Sequence, residues 1–232
     1  ADNAFNNIGA KEWMWGADIT PETSTAFASF FSFMCSYDAG YGGDVGQYRK
    51  IDARLYDSMN PTDVRKKLFK HTSTGVQYTP QEAAFPEYTN IKFKKVANWE
   101  ADYVYMRVSE MILTEAEALA HKGDYTGAAQ VLKELMSQRD PSWKANSVTA
   151  DDVYQQRRLE LWGEGFSLFD HLRLKKGINR NYEGSNHLKS AQYTIDAGSW
   201  YFLYQLPLKE LDNNDAIDAS EQNPAPTESK FK

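Results

Sequence analysis

The sequence predicts a mainly α-helical, loop-rich fold with few short strands, and three observations carry that expectation. Residues 103–121 have helical periodicity: Arg107, Glu110, Thr114, Glu117 and His121 are spaced 3, 4, 3, 4 along one polar stripe. Residues 124–138 repeat the pattern after Gly123, with Asp124 as cap and Tyr125, Ala128, Leu132 and Leu135 on one face. Elsewhere glycine, proline and asparagine break the chain often, and only IKFKKV at 91–96 alternates like a strand.

Taken in order, residues 1–22 hold aromatics with little period (Phe5, Trp13, Trp15) and read as short extended pieces and loops. Trp13 and Trp15 are expected in the core. STAFASFFSFMC, 24–35, reads as a short buried helix entered at Ser24 or Thr25, with Cys35 as a buried thiol. YDAGYGGDVGQY, 37–48, is a loop, its glycines marking tight turns. After Asn60-Pro61, a basic helical stretch starts at Thr62 or Asp63. Residues 103–121 present an apolar surface wide enough for more than one neighbour, and Glu115 falls inside it, where a carboxylate needs a partner. The hairpin over 103–139 resembles one tetratricopeptide unit, with Ala116, the Gly123-Asp124-Tyr125 turn, Ala128 and Pro141 in place. Thr149 and Asp152 form a capping box that starts a helix to about Trp162. FSLFDHLRLKKG, 166–177, is a shorter helix, and 212–232 reads as a surface wrap.

Composition narrows the function. The 232 residues suffice for one domain or for two lobes. The net charge is 26 − 32 = −6 without a basic run, which excludes ordinary nucleic-acid binding, where phosphate contacts dominate. A single cysteine makes no internal disulfide. No run is long and apolar enough to span a bilayer. The aromatic share of 14% leaves rings over for a stacking surface once a core is filled.

Catalytic chemistry finds little support. Glu160 and Glu164 share a face only if the helix continues past Gly163, and Arg157 on that face favours ionised carboxylates over a protonated general acid. Asp170 and Arg173 read as another ion pair. His71, His121, His171 and His187 have no metal-ligand spacing, so no metal site and no cofactor are expected. A structural calcium ion held partly by backbone oxygens stays open. The loop is the better site. Tyr37, Tyr41 and Tyr48 can stack on the C–H faces of sugars, while Asp38, Asp44 and Arg49 can pair with hydroxyls. Alternatively, the tyrosines fold back on the core.

QQRRLELWGEGFSLFDHLR, 155–173, resembles a signature of the SusD/RagB family, roughly E-R-R-x-E-L-x-x-E-G-x-R-x-x-D-L-x-R. Arg157, Arg158, Glu160, Leu161, Glu164, Gly165, Asp170 and Arg173 are in register, while Gln156, Ser167 and His171 depart from it. EWMWG at 12–16, LYDSMNPTDVRKKLF at 55–69, YVYMRVSEMILTEAEALAHKGD at 103–124, and LPLKELDNN at 206–214 with QNP at 222–224 resemble further family elements in the expected order. The resemblance covers almost all of 1–232, read as one SusD-like helical domain from the family's C-terminal part. It implies a non-catalytic surface lipoprotein of a Gram-negative outer membrane that captures oligosaccharide and caps a TonB-dependent, SusC-like transporter. Some relatives take other nutrients, such as peptides. The lipid anchor is expected outside this chain, so Cys35 is not the lipidated residue. The alternative is a helical protein-interaction scaffold of a nutrient-uptake complex.

Overall fold

The computed structural model describes residues 5–25, 29–37, 45–94 and 100–224. Among these, eight α-helices are linked by loops, 3₁₀ turns and four short strands, so the architecture is mainly helical, as the sequence predicts. The chain divides into two compact units, Ala1–Gly163 and Glu164–Lys232.

In the first unit, polar caps start most helices. Ser29, not Ser24 or Thr25, caps α1 (Phe30–Met34), accepting from the Ser32 N–H at 3.1 Å. Asp52 caps α2 (Ala53–Asp57), and Thr79 and Glu82 make a capping box on α3 (Pro80–Ala84), with proline in its first turn. Asp63 caps a 3₁₀ turn over Val64–Leu68, where a helical stretch is expected. Residues 91–94 form no strand. The Asn90 side chain accepts from the N–H groups of Lys92 and Phe93, at 2.9 and 3.3 Å, and turns the chain there.

The helix expected over 103–121 divides. Tyr103–Arg107 is a strand, β2, antiparallel to β1 (Trp13–Ala17), and α4 (Val108–His121) begins only after it. YVYMR has both a helical and an alternating reading, and a partner strand from the far N-terminal side decides it. Arg107 therefore lies 1% exposed rather than on a solvated stripe. Glu115 is exposed and needs no partner. Trp15 is 63% exposed, against its expected place in the core. Beside it, Gly16 has no substitute: an added Cβ would stand 2.7 Å from both the Tyr103 carbonyl oxygen and Trp13 Cε3.

Asp124 caps α5 (Tyr125–Arg139), and Thr149 and Asp152 box the start of α6 (Ala150–Glu160), both as read from the sequence. Helix α4 packs on α5 and α6. Leu113, Ala116 and Ala120 are buried, as are Ala128, Leu132, Leu135 and Val153, and the alanines let the helix axes approach. Tyr125, placed on the apolar face by periodicity, is instead exposed. Two further clusters complete this core. One gathers Ile51, Leu55, Tyr56, Met59, Phe69 and Leu159; the other gathers Phe31, Cys35, Phe93 and Ala101; Trp162 packs on both.

The second unit carries α7 (Ser167–Arg173), a short antiparallel pair of β3 (Ile178–Asn179) with β4 (Thr194–Ile195), and α8 (Leu208–Asn213). Its closing motifs meet. The Gln222 side chain accepts from the Leu206 N–H at 2.8 Å and donates to the Leu206 carbonyl at 2.9 Å, while Asn223 donates to the Tyr204 carbonyl at 2.7 Å.

Candidate functional site

Charged residues from several separate segments, Arg107 and Glu160 among them, converge on one buried ion network. Glu160 closes α6 and accepts from Arg107 at 2.9 Å and from Arg139 at 2.9 Å. Arg107 also donates to the Glu160 backbone carbonyl at 2.8 Å. Arg65 Nη1 lies 3.6 Å from the same carboxylate, an ion-pair distance too long for a hydrogen bond, while its Nη2 pairs with Asp63 at 2.7 Å and with Gln156 at 2.7 Å. Glu12 reaches Arg107 at 3.5 Å and Arg139 at 3.7 Å. Burial alone would raise the Glu160 carboxyl, but Arg107, Arg139 and Arg65 outweigh it and hold the group well below the usual carboxylate range.

That arrangement is unsuited to acid catalysis, because Glu160 stays ionised and has no solvent-facing side. The condition for pairing it with Glu164 is not met either. Helix α6 stops at Glu160, and Gly163 takes a left-handed φ of 77°. Asp170 and Arg173 pair at 2.8 Å, as expected from their spacing. Among the described residues no group of three or more His, Cys, Asp and Glu side chains could hold a metal ion.

The aromatic loop behaves differently. Asp38, Tyr41 and Asp44 lie outside the described residues. Tyr37 and Tyr48 come together on the buried Phe85: Tyr37 meets it edge to face with ring centres 5.5 Å apart, and Tyr48 is tilted against it at 5.4 Å. Both tyrosines remain half-buried. The Tyr37 hydroxyl donates to Glu82, and burial together with that carboxylate pushes its phenol well above the usual range. Lys94 pairs with Glu82 at 3.3 Å and stands 5.3 Å from the Tyr37 ring centre. Arg49 is exposed and donates to the Phe33 carbonyl at 3.2 Å. The rings thus rest on the protein at one edge, beside a fixed carboxylate and ammonium. Glu82, Phe85 and Lys94 escape a reading of sequence because they lie more than thirty residues from the loop's start; only the capping box at Thr79 hints that Glu82 is held in place.

A second aromatic pair is exposed on the β1–β2 ribbon. Trp15 and Tyr105 meet edge to face at 5.2 Å, with Met14 also exposed.

Comparison with known proteins decides the family. A family model for the SusD family matches residues 53–225. The chain belongs to the SusD family. Among solved structures, a SusD-like carbohydrate binding protein from Bacteroides vulgatus is 26% identical with a TM-score of 0.72; the match covers 97% of this chain and 52% of that one. A SusD superfamily protein from the same organism is 24% identical with a TM-score of 0.73, over 94% of this chain and 47% of that one. Another, from Bacteroides thetaiotaomicron, is 23% identical with a TM-score of 0.68, over 96% and 50%. This SusD-family chain therefore spans about half the length of the solved structures it matches. Among curated proteins none matches it. The ion network gains meaning from the family. Glu12, Arg65, Arg107 and Glu160 come from four separate family-like segments, and the structure brings them to one point.

Proposed function

We propose that this chain is part of a non-catalytic glycan-binding protein of the outer-membrane surface, which passes oligosaccharide to a TonB-dependent, SusC-like transporter. Family membership carries the reading, together with the 26% identity to a protein described as SusD-like and carbohydrate binding. The geometry at the loop supports it. Tyr37 and Tyr48 offer half-buried rings on a buried Phe85 base, and Arg49 is at the surface. Glu82 holds Tyr37 by its hydroxyl, which limits the ring freedom lost on binding. Tyr41, Asp38 and Asp44 belong to the same proposed site. No cofactor enters the reading. Among the described residues no helix is long and apolar enough to cross a membrane, and attachment through a lipid anchor outside this chain is part of the proposal.

The test belongs on the full-length protein. A glycan array should identify an oligosaccharide, and calorimetry should then show Tyr37→Ala and Tyr48→Ala each weakening it about tenfold, the loss expected for a central stacking ring. Wild-type affinity in both variants would move the site elsewhere. Product release from the bound oligosaccharide would overturn the non-catalytic reading. A second reading, a protein-interaction scaffold or peptide binder, is favoured by the exposed Trp15–Tyr105 pair. An empty glycan array combined with transporter co-purification abolished by Trp15→Ala would select it.

A further inference from the structure

We propose that Asn90 is a positioning residue for the Tyr37–Tyr48 site, a single buried asparagine that ties both stems of the loop together and so sets where its rings stand. The proposal rests on the reading of that loop as the glycan site. Asn90 is fully buried, and it spends its groups on three stretches of chain. Toward the first stem, its Nδ2 donates to the Met34 carbonyl at 2.6 Å and its own carbonyl accepts from the Ser36 hydroxyl at 2.7 Å. Toward the second stem, its backbone N–H donates to the Arg49 carbonyl at 2.8 Å. Its Oδ1 accepts from the N–H groups of Lys92 and Phe93, which turns the chain toward Lys94, the cation beside Tyr37.

No other residue type supplies this set. Aspartate keeps the Oδ1 acceptor but loses the donor to Met34, glutamine carries the amide one carbon too far, and an apolar side chain leaves buried carbonyl and N–H groups unpaired. The position matters for binding because Tyr37 and Tyr48 stand one on each stem, and bringing both rings onto one ligand costs conformational entropy unless the stems already hold them together. Pinning both stems in advance removes part of that cost. The direct stem-to-stem contact, Arg49 to the Phe33 carbonyl, is exposed and offers a weaker tie.

Amide hydrogen exchange on the intact protein tests this without any glycan. Ser36→Ala removes one first-stem bond and leaves the core intact; Asn90→Asp removes the Nδ2 donor. The readout is across the loop, at the N–H groups of residue 90 and Ile51, which are hydrogen-bonded to the Arg49 and Tyr88 carbonyls. Both variants should speed exchange there by about tenfold or less, the effect of one hydrogen bond, with α4 and α5 unchanged. Equal acceleration in α4 and α5 would make Asn90 a residue of global stability only, and unchanged exchange at residue 90 and Ile51 would show that the stems are not coupled; either result overturns the proposal. If Asn90→Asp does not fold, Ser36→Ala alone decides. Failure of the glycan-site reading appears separately, as unchanged affinity in Tyr37→Ala and Tyr48→Ala, and leaves the exchange result standing.

Discussion

Glu160 is 3% exposed at its side chain and ionised, a combination that survives only because guanidinium groups from three other segments surround it. Removing one of them strands charge in the core. Arg107→Ala should lower stability at neutral pH by about 3–5 kcal/mol in urea unfolding, the usual effect of breaking a buried pair. A change under ~1 kcal/mol would mean that the network is solvated. The pH dependence has a definite sign. The folded carboxyl is depressed below its ordinary value of 4.5, so its contribution is present above that pH and is lost as pH falls through the folded value. Glu160→Gln should therefore flatten the acid limb of a stability–pH curve. At the candidate site, Tyr37→Phe keeps the ring on Phe85 but removes the hydroxyl donated to Glu82. We expect a cost of about 1–2 kcal/mol in stability and a smaller loss of glycan affinity than Tyr37→Ala.

At the scale of elements, Asp140 does more for α5 than cap its C-terminus. It ends the helix and accepts from the Asn60 amide and the Thr62 hydroxyl, both at 2.6 Å, and from the Ser142 N–H at 3.0 Å. Burial would raise this carboxyl; the hydrogen bonds from Asn60, Thr62 and Ser142 win and bring it from 3.8 to about 2. Its contribution is present above pH 3.8 and disappears as pH falls through about 2. Allowing for nearby solvent, Asp140→Asn should remove on the order of 1–2 kcal/mol at pH 6 and little at pH 2, as measured by thermal unfolding. On the ribbon, Gly16→Ala forces an added carbon against the Tyr103 carbonyl and the Trp13 ring. It should cost about 1–3 kcal/mol, comparable to overpacking a core. Unaltered stability there would show that β1 can shift. At α6, Thr149→Ala removes the cap and should cost about 1 kcal/mol.

Over the whole chain, the ion network is a long-range device. Glu12 and Arg107 are 95 residues apart, and Arg107 and Glu160 are 53 apart. Such members do not act independently. A double-mutant cycle of Arg107→Ala with Glu160→Gln should give a coupling of about 0.5–3 kcal/mol. Additive effects would show that the two groups do not interact in solution.

How much of this is legible in sequence follows from the range of each interaction. Caps, turns and hairpin periodicity are decided by residues within a few positions of one another, so Asp124, the Thr149–Asp152 box and the α4–α5 pair are readable directly. The acid-free character of Glu160 is also readable, though through Arg157; the structure assigns the role to Arg65, Arg107 and Arg139, which come from other segments. Local pattern could not separate strand from helix at Tyr103–Arg107, because pairing with Trp13–Ala17 decides it. Nor could it show that Tyr37 and Tyr48 share Phe85, or that Glu82 holds one of them. Short-range propensity and spacing determined the α4–α5 pair, α6 and α7 and marked a loop with stacking and polar groups. Tertiary structure alone decided which charges meet and where the rings rest, because those contacts join segments whose separation in sequence carries no periodic signal.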